Sequence, residues 1–430
     1  MGMLRNKLVI IGGVVLLAGI MAAGYGGACG GSSSSSSGSS GSTAVAKVFF
    51  LDNYVTSTGH ADLNVVSITG GVSRTLATDI IEYDATPDGS RALYVEDDGG
   101  GDFNYKSIPS GGGAATLLAN VPNYMWLITD DSSKLVFLKN SDSSINVVPM
   151  AGGAVSAIVT SGVSGFRLTP DSTKVVYVSS TGDMNVKSLA GGSPIFLASN
   201  VSYTYQVSYD SNMVYYIDDT VSSTLKAVSI TGGAPVSLAE DVFIFRPTRD
   251  LSRIIYLNDY DVVSDTFTMN VINLQTLVTA TLDTGVSMMF ADVSRDSSRV
   301  VYLKDFNSPN ADVYSISITG TTPVKIGSAV FLHEAAITHD STQVVYGADF
   351  DYAPNLMRIK RVPIAGGVSS LIMEGTNYWE LSPNSDRVVY SSGADYDLDT
   401  NSATLKSVNL DGTGTVTLGL GVYSSFVKIR

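Results

Sequence analysis

Cysteine is nearly absent: the 430 residues hold one, Cys29. A single thiol excludes a disulfide framework and a cysteine-rich metal centre. Histidine is almost as scarce, at His60, His333 and His339, and leaves little for imidazole chemistry. No serine stands in a Gly-x-Ser-x-Gly elbow, so a hydrolase triad has no nucleophile signature. Charge is thin, at 15% of residues, and positive charge especially so: 26 Lys and Arg face 40 Asp and Glu, a formal charge of −14. That imbalance argues against nucleic acid and against an anionic membrane surface as partners. What is plentiful is apolar residues, at 44%, together with Gly, Ser, Thr and Val. This profile excludes disorder over most of the chain and suits short strands with tight turns better than helices.

The one long apolar run, Leu8 to Ala23, follows Arg5 and Lys7 and leads to small residues and Cys29. A basic start, an apolar middle and a small-residue exit are the parts of an export signal, and the run is shorter than the roughly 20 residues a spanning helix needs. After the cysteine, Gly30 to Ser42 is nothing but Gly and Ser, a tract that buries nothing and acts as a flexible tether. Signal, cysteine and tether together resemble a bacterial lipoprotein. That resemblance implies a signal peptide over residues 1–28, a lipidated Cys29 opening a tether over 29–43, and attachment to a membrane through the lipid. Gly26 departs from the pattern, which usually has an aliphatic residue three positions before the cysteine.

From residue 44 onward one phrase recurs. Its clearest form is Ser294-Arg295-Asp296-Ser297-Ser298-Arg299-Val300-Val301-Tyr302, and Thr86 to Val95, Thr169 to Val178 and Ser382 to Tyr390 repeat it. The aromatic markers Phe50, Tyr94, Phe137, Tyr177, Tyr216, Tyr256, Tyr302, Tyr346 and Tyr390 are spaced by 39 to 46 residues, about the length of a four-stranded propeller blade. Each unit reads as a first strand, an Asp-containing turn, a Val-Val-Tyr strand, a variable polar loop, a third strand, a tight Gly-Gly turn such as Gly152-Gly153, and a fourth strand. Paired glycines supply the positive φ that such a hairpin requires. The unit near Gln275-Thr276 lacks them, so its turn must differ.

The first unit enters at a second strand, whereas the tail Gly421 to Arg430 aligns without a gap to Gly285 to Ser294, a segment that ends in a first strand. Pairing the two removes both open edges. The expected fold is therefore all-β: a single β-propeller over residues 44–430, of four-stranded blades, closed by the C-terminal strand joining the first blade. The count is nine blades, with eight and one expelled unit as the alternative. Pro-Asp-Ser/Gly-x-Lys/Arg followed by Val-Val-Tyr resembles the TolB-like propeller repeats of bacterial periplasmic proteins, and the blades of prolyl oligopeptidases are of similar style. The resemblance bears on fold and little on function.

Candidate site residues follow from where such a blade places its variable parts. The turn acids recur once per unit and read as turn caps, with a Lys or Arg three residues on as a partner. The loops between second and third strands carry many acids, among them Asp97, Asp98, Asp259, Asp261, Asp349 and Asp351, and share one face with the links between blades. That face is expected to be acidic, its carboxylates largely unpaired, and suited to a cationic partner. Asp395, Asp397 and Asp399 alternate as calcium ligands do, but without the glycine and closing glutamate of an EF-hand loop. Trp126 and Trp379 fall in first strands, as inter-blade core or as stacking surfaces for sugar rings.

The expected function is non-enzymatic: a binding or scaffold module for a protein or glycan on a bacterial envelope, as an outer-membrane lipoprotein facing periplasm or exterior. The alternative is a glycan lyase or hydrolase working in the central channel. The anchor has a direct test. Cys29→Ser should abolish palmitate labelling and move the protein out of the membrane fraction.

Overall fold

Burial on both faces governs the second strands. Val48, Phe49, Phe50 and Leu51 are all buried, as are Val300, Val301, Tyr302 and Leu303, so neither side of these strands faces water. The computed structural model describes residues 45–122, 125–218, 220, 222–287, 292–307, 310–351, 356–393 and 403–430, without the side chains of 203, 307, 331–334 and 424–426. The export segment, Cys29 and the tether lie outside the described residues, as do Asp395, Asp397 and Asp399.

The protein is almost entirely antiparallel β-sheet. The repeats are numbered by their Asp turns: Asp88 marks unit 2, and Asp131, Asp171, Asp210, Asp250, Asp296, Asp340 and Asn384 mark units 3 to 9, with unit 1 around Phe50. Units 2 to 5 are separate four-stranded sheets whose strands neighbour one another in chain order, as in Glu82–Ala85, Arg91–Asp97, Phe103–Pro109 and Thr116–Val121. Units 6 to 8 are bridged into one larger sheet by long strands such as Val324–Ile337. Units 9 and 1 share the strand Val416–Ile429, which pairs with Ala403–Asn409 on one side and with Lys47–Val55 on the other. Val48 faces Ile429 and Phe50 faces Val427, while Lys47 and Arg430 exchange backbone hydrogen bonds of 2.6 and 2.9 Å. The tail thus takes the first-strand place beside Lys47–Val55.

Because successive side chains leave a strand on opposite faces, each unit feeds two cores. Phe49 and Leu51 pack with Tyr83, Ala85 and Tyr94 of unit 2. Val48 and Phe50 pack with Val389 and Leu405 of unit 9. Likewise Val300 and Tyr302 join unit 6, and Val301 and Leu303 join unit 8. Among the described residues there are nine such apolar clusters, each drawn mainly from two neighbouring units. Full burial of one such side chain is worth roughly 1.5–3 kcal/mol, which makes face-to-face burial the main adhesive between units.

The Asp turn is built alike in units 2 to 8, whereas in unit 9 the Ser382 hydroxyl donates to Asp386. In unit 4 the Thr169 hydroxyl donates to Asp171 Oδ1, the Thr173 amide donates to the same oxygen at 3.0 Å, and the Lys174 amide donates to Thr169 Oγ1 at 3.0 Å. Ser172 follows at φ 59°, a left-handed conformation that residues other than glycine seldom adopt. Its hydroxyl explains the choice, because Ser172 Oγ accepts the Asp131 amide of the preceding unit at 3.0 Å. The same latch joins Asp88 to Ser132, Asp171 to Ser211, Asp250 to Ser297 and Asp296 to Ser341. Unit 2 has Gly89 in the Ser slot, at φ 63°, and a Cβ there would come within 3.2 Å of Arg430. Unit 6 has Leu251, at φ 60°, and no hydroxyl to offer. Its second hairpin also departs from the Gly-Gly form: Asn273 Oδ1 accepts the Gln275 and Thr276 amides, and Leu277 closes onto the Asn273 carbonyl at 2.8 Å.

The latch separates two substitutions at one site. Ser211→Ala loses the bond to Asp171 and keeps the left-handed strain, and should cost about 1–2 kcal/mol. Ser211→Gly loses the same bond but relieves the strain, so it should cost about 1 kcal/mol less. Denaturant unfolding of the pair checks the order.

Candidate functional site

Chain direction sorts the loops. The Asp turns and the second hairpins end one face, and the loops between second and third strands share the other with the links between units. On this loop face the acids are largely engaged. Asp97 Oδ1 accepts the Gly99 amide at 2.7 Å, and Asp98 accepts the Gly100 amide at 2.7 Å and Asn120 Nδ2 at 3.0 Å. Asp261 accepts the Val263 amide and the Ser264 hydroxyl, each at 2.9 Å. Asp349 takes Lys360 at 2.6 Å and Arg358 at 3.6 Å, and Asp218 takes Lys226 at 2.6 Å. Asp351 is exposed at the end of Gln343–Asp351.

The expected division of charge is therefore corrected in two ways. Loop acids cap their own backbone or meet a cation of the adjoining third strand. Turn acids point into their own turn, and Asp171 with Lys174 at 3.8 Å is the sole ion pair of the expected turn kind among the described residues. Some of the cations expected there lie along the neighbouring strand instead: Arg91 Nε donates to Ser107 Oγ at 2.6 Å and Arg299 Nε to Ser315 Oγ at 2.8 Å, whereas Lys134 and Arg253 stay at their own turns on Ser133 and Ser252. Desolvation pushes the Asp171 carboxyl up, but the hydrogen bonds from Thr169 and Thr173 outweigh it and hold the acid below its ordinary value.

A second pattern was not read from the sequence. Asn53, Asp259, Asp305 and Asp349 all have φ between 50° and 56°, each where the pairing register of its hairpin shifts. Asn and Asp tolerate this conformation better than most residues, so the bulge itself accounts for part of the acidity. An aromatic follows each: Tyr54, Tyr260, Phe306 and Phe350. The recurring Asp/Asn-aromatic pair was the available signal.

These features converge at a cleft of about 350 Å³ between units 5 and 6, lined by Ser222, Ser223, Asp241, Phe243, Asp259 and Tyr260, with Phe267 and Asn258 behind them. Phe243 is 43% exposed and Tyr260 49%. Both lean on buried Phe267, with ring centroids 5.0 and 4.7 Å away. The Tyr260 hydroxyl donates to Asp265 at 2.7 Å, which pushes its pKa up and keeps the phenol protonated. Ser222, Ser223, Asp241 and Asp259 are all left-handed. The Asp241 and Val242 amides donate to the Ser222 and Ser223 carbonyls at 2.7 and 3.0 Å. Backbone strain of this density persists only where surrounding structure fixes it, and it recurs at binding sites.

The first strands carry a second set of charged groups. Arg430 reaches Asp84 at 3.5 Å and the Ala85 carbonyl at 3.3 Å. Burial, reinforced by the Asp84 charge, pushes Glu82 up to about 7 against the pull of Lys428. Burial also raises Glu380, which accepts the Tyr378 hydroxyl at 2.9 Å and feels Arg430 and Lys428. The tryptophans belong to the cores between units. Trp126 meets Tyr105 edge-on at 5.4 Å, and Trp379 packs against the cluster around Tyr390, its Nε1 buried without a partner. Among the described residues no group of three or more His, Cys, Asp or Glu is placed to hold a metal ion.

No protein-family model matches the chain, and no curated protein matches it in sequence. In three dimensions it is similar to a structure of the eukaryotic initiation factor, with a TM-score of 0.62 at 12% identity over 90% of this chain and 98% of that one. At that identity the likeness is one of fold alone. A protein assigned as TolB from Agrobacterium tumefaciens aligns at a TM-score of 0.33 and 16% identity, over 52% of this chain and 85% of that one. An oligogalacturonate lyase in complex with manganese aligns at 0.42 and 16%, over 71% and 95%. Scores this low carry no argument for this chain.

The shifted carboxyl has a pH signature. Its raised pKa means the fold favours neutral Glu82, an advantage fully present below about 4.5 and lost as pH rises through about 7. Glu82→Gln should match the wild type near pH 4.5. At pH 8 it should exceed it by on the order of 1–2 kcal/mol after allowance for solvent screening, as read by denaturation at the two pH values.

Proposed function

We propose that the chain is a nine-bladed β-propeller, closed by its C-terminal strand and held at a bacterial envelope membrane through a lipidated Cys29. It binds a glycan, without turning it over, at the cleft between units 5 and 6. Nine apolar clusters, the ninth joining units 9 and 1, support nine blades over eight. The observation that carries the binding reading is the pair of half-exposed rings, Phe243 and Tyr260, set on one buried ring and flanked by Asp241, Asp259 and Asn258. Apolar ring faces stack on the C–H faces of sugars, while carboxylates and amides accept and donate to hydroxyls. A fixed cleft lowers the ordering cost of that contact.

The competing reading, a glycan lyase or hydrolase in the central channel, has Glu82 in its favour, since a carboxyl that titrates near neutrality suits a general acid or base. Against it, Lys428 and Arg430 lie among Glu82, Glu380 and Asp84, as befits groups that offset one another's charge beside the last strand.

Affinity electrophoresis through gels cast with neutral polysaccharides separates the readings. At least one polysaccharide should retard the protein without release of reducing ends. Tyr260→Ala and Phe243→Ala should each weaken retardation by several-fold to about tenfold. Release of reducing ends that Glu82→Gln abolishes would support the enzyme instead.

A further inference from the structure

The residue between Thr or Ser and Asp recurs at the same place in each turn of the turn face. In units 2, 4 and 9 it is proline, Pro87, Pro170 and Pro383, and in unit 3 it is Asp130. In units 5 to 8 it is Tyr209, Arg249, Arg295 and His339 in succession. The separations of 40 to 46 residues hide this grouping in the sequence. The fold brings it together, because Asp250 is latched to Ser297 at 3.1 Å and Asp296 to Ser341 at 3.0 Å. Turns 6, 7 and 8 are thereby held edge to edge, and their middle residues form a crescent.

Arg249 lies over the Tyr209 ring, 4.6 Å from its centroid. This is the interface where Leu251 replaces the latching serine, so Arg249 also helps join units 5 and 6. The His339 amide latches unit 8 to Ser385 Oγ of unit 9 at 2.9 Å, but among the described residues the side chains of Arg295 and His339 join no units in this way. Among the described residues neither Arg249 nor Arg295 has an ion pair. The acids of their own turns are turned inward, Asp250 onto Thr248 and Ser252, Asp296 onto Ser294 and Ser298. The nearby carboxylate is Asp292, which feels Arg246 and Arg249. Burial and the Arg249 charge lower the pKa of Arg295, and burial with the Arg295 and Arg249 charges lowers that of His339, against a smaller pull from Asp340. The three cationic positions therefore sense one another. Assembling like charges is unfavourable, and here Asp292 and Asp340 offset it only in part, in a chain whose formal charge is −14.

We propose that Arg249, Arg295 and His339 form an oxyanion-binding site across adjoining turns of the turn face, on the face away from the aromatic cleft. Guanidinium groups grip carboxylate and phosphate oxygens through paired N–H donors. The exposed imidazole of His339 and the hydroxyl of half-exposed Tyr209 border the same space. The shared chemistry is that of a multiply charged oxyanion, whether carboxylates of a uronic-acid chain or a phosphate ester.

Isothermal titration of the full chain at low ionic strength, with tripolyphosphate and separately with an oligomer of glucuronic acid, tests the site. At least one should bind saturably and weaken as salt is added. Binding of tripolyphosphate alone assigns a phosphate ligand, binding of the uronate alone a carboxylate ligand, and binding of both the shared oxyanion chemistry. Arg295→Gln should weaken binding by about tenfold or more, while the melting temperature holds or rises because like-charge repulsion is relieved. Arg295→Lys should retain part of the affinity. If Arg295→Gln fails to fold, His339→Ala at its exposed position gives the same reading, weakened binding at an unchanged melting temperature. Absence of saturable binding by either anion, or affinity that survives substitution at Arg295 and His339, overturns the proposal.

Discussion

A β-sheet whose second strand is buried on both sides cannot stand alone, and the rest of the molecule follows from that constraint. Tyr302 packs toward unit 6 and Val301 toward unit 8, so each sheet needs a neighbour on each face. A row of such sheets leaves two unburied faces and two open edges at its ends. Val48 and Phe50 meet that need at one end by packing against Val389 and Leu405. Val427 and Ile429 supply the missing edge by pairing with Lys47–Val55. The first and last described strands thus belong to the same core, with Arg430 and Lys47 fastening them to Asp84, Ala85 and Gly89 of unit 2.

Polar groups refine what apolar burial begins. Face-to-face packing leaves sheets free to slide, whereas the serine latches fix the turn of one unit against the next at hydrogen-bond length. This fixing is what allows sequence-distant side chains to act as a group. Where Leu251 takes the place of the latching serine, between units 5 and 6, the surface changes on both faces: Arg249 stacks on Tyr209 at one, and the strained cleft around Phe243 and Tyr260 opens at the other. Both candidate binding sites use this irregular region, which is where a repeat can carry function without disturbing the shared core.

Much of the architecture was legible because it is local and repeated. The Val-Val-Tyr strands, the Asp turns, the paired glycines and the match of the tail to Gly285–Ser294 all lie within short windows. The roles of charge were less legible. Lys or Arg three residues after Asp reads as an ion pair, yet the turn consumes the carboxylate with the Thr or Ser hydroxyl and a backbone amide, and the cation binds a serine or threonine hydroxyl of its own turn or runs along the next strand. Acids in the loops read as a free rim, but the left-handed bulge at Asp259, Asp305 and Asp349 accounts for several of them. The crescent of Arg249, Arg295 and His339 was hidden for a different reason: its members align only once the register between turns is known.

Ring closure is the claim on which the blade count and the relation of the two faces depend. Hydrogen exchange of the full chain measures it at the strand Val416–Ile429 and its partner Lys47–Val55. Closure predicts that the amides of Phe49, Lys428 and Arg430, which lie in the hydrogen-bonded pairs of this seam, exchange as slowly as those of Val300 and Val301 in unit 7, through opening of the whole structure. Exchange of the last residues at the rate of a frayed terminus, with Lys47–Val55 unprotected on that edge, would contradict it.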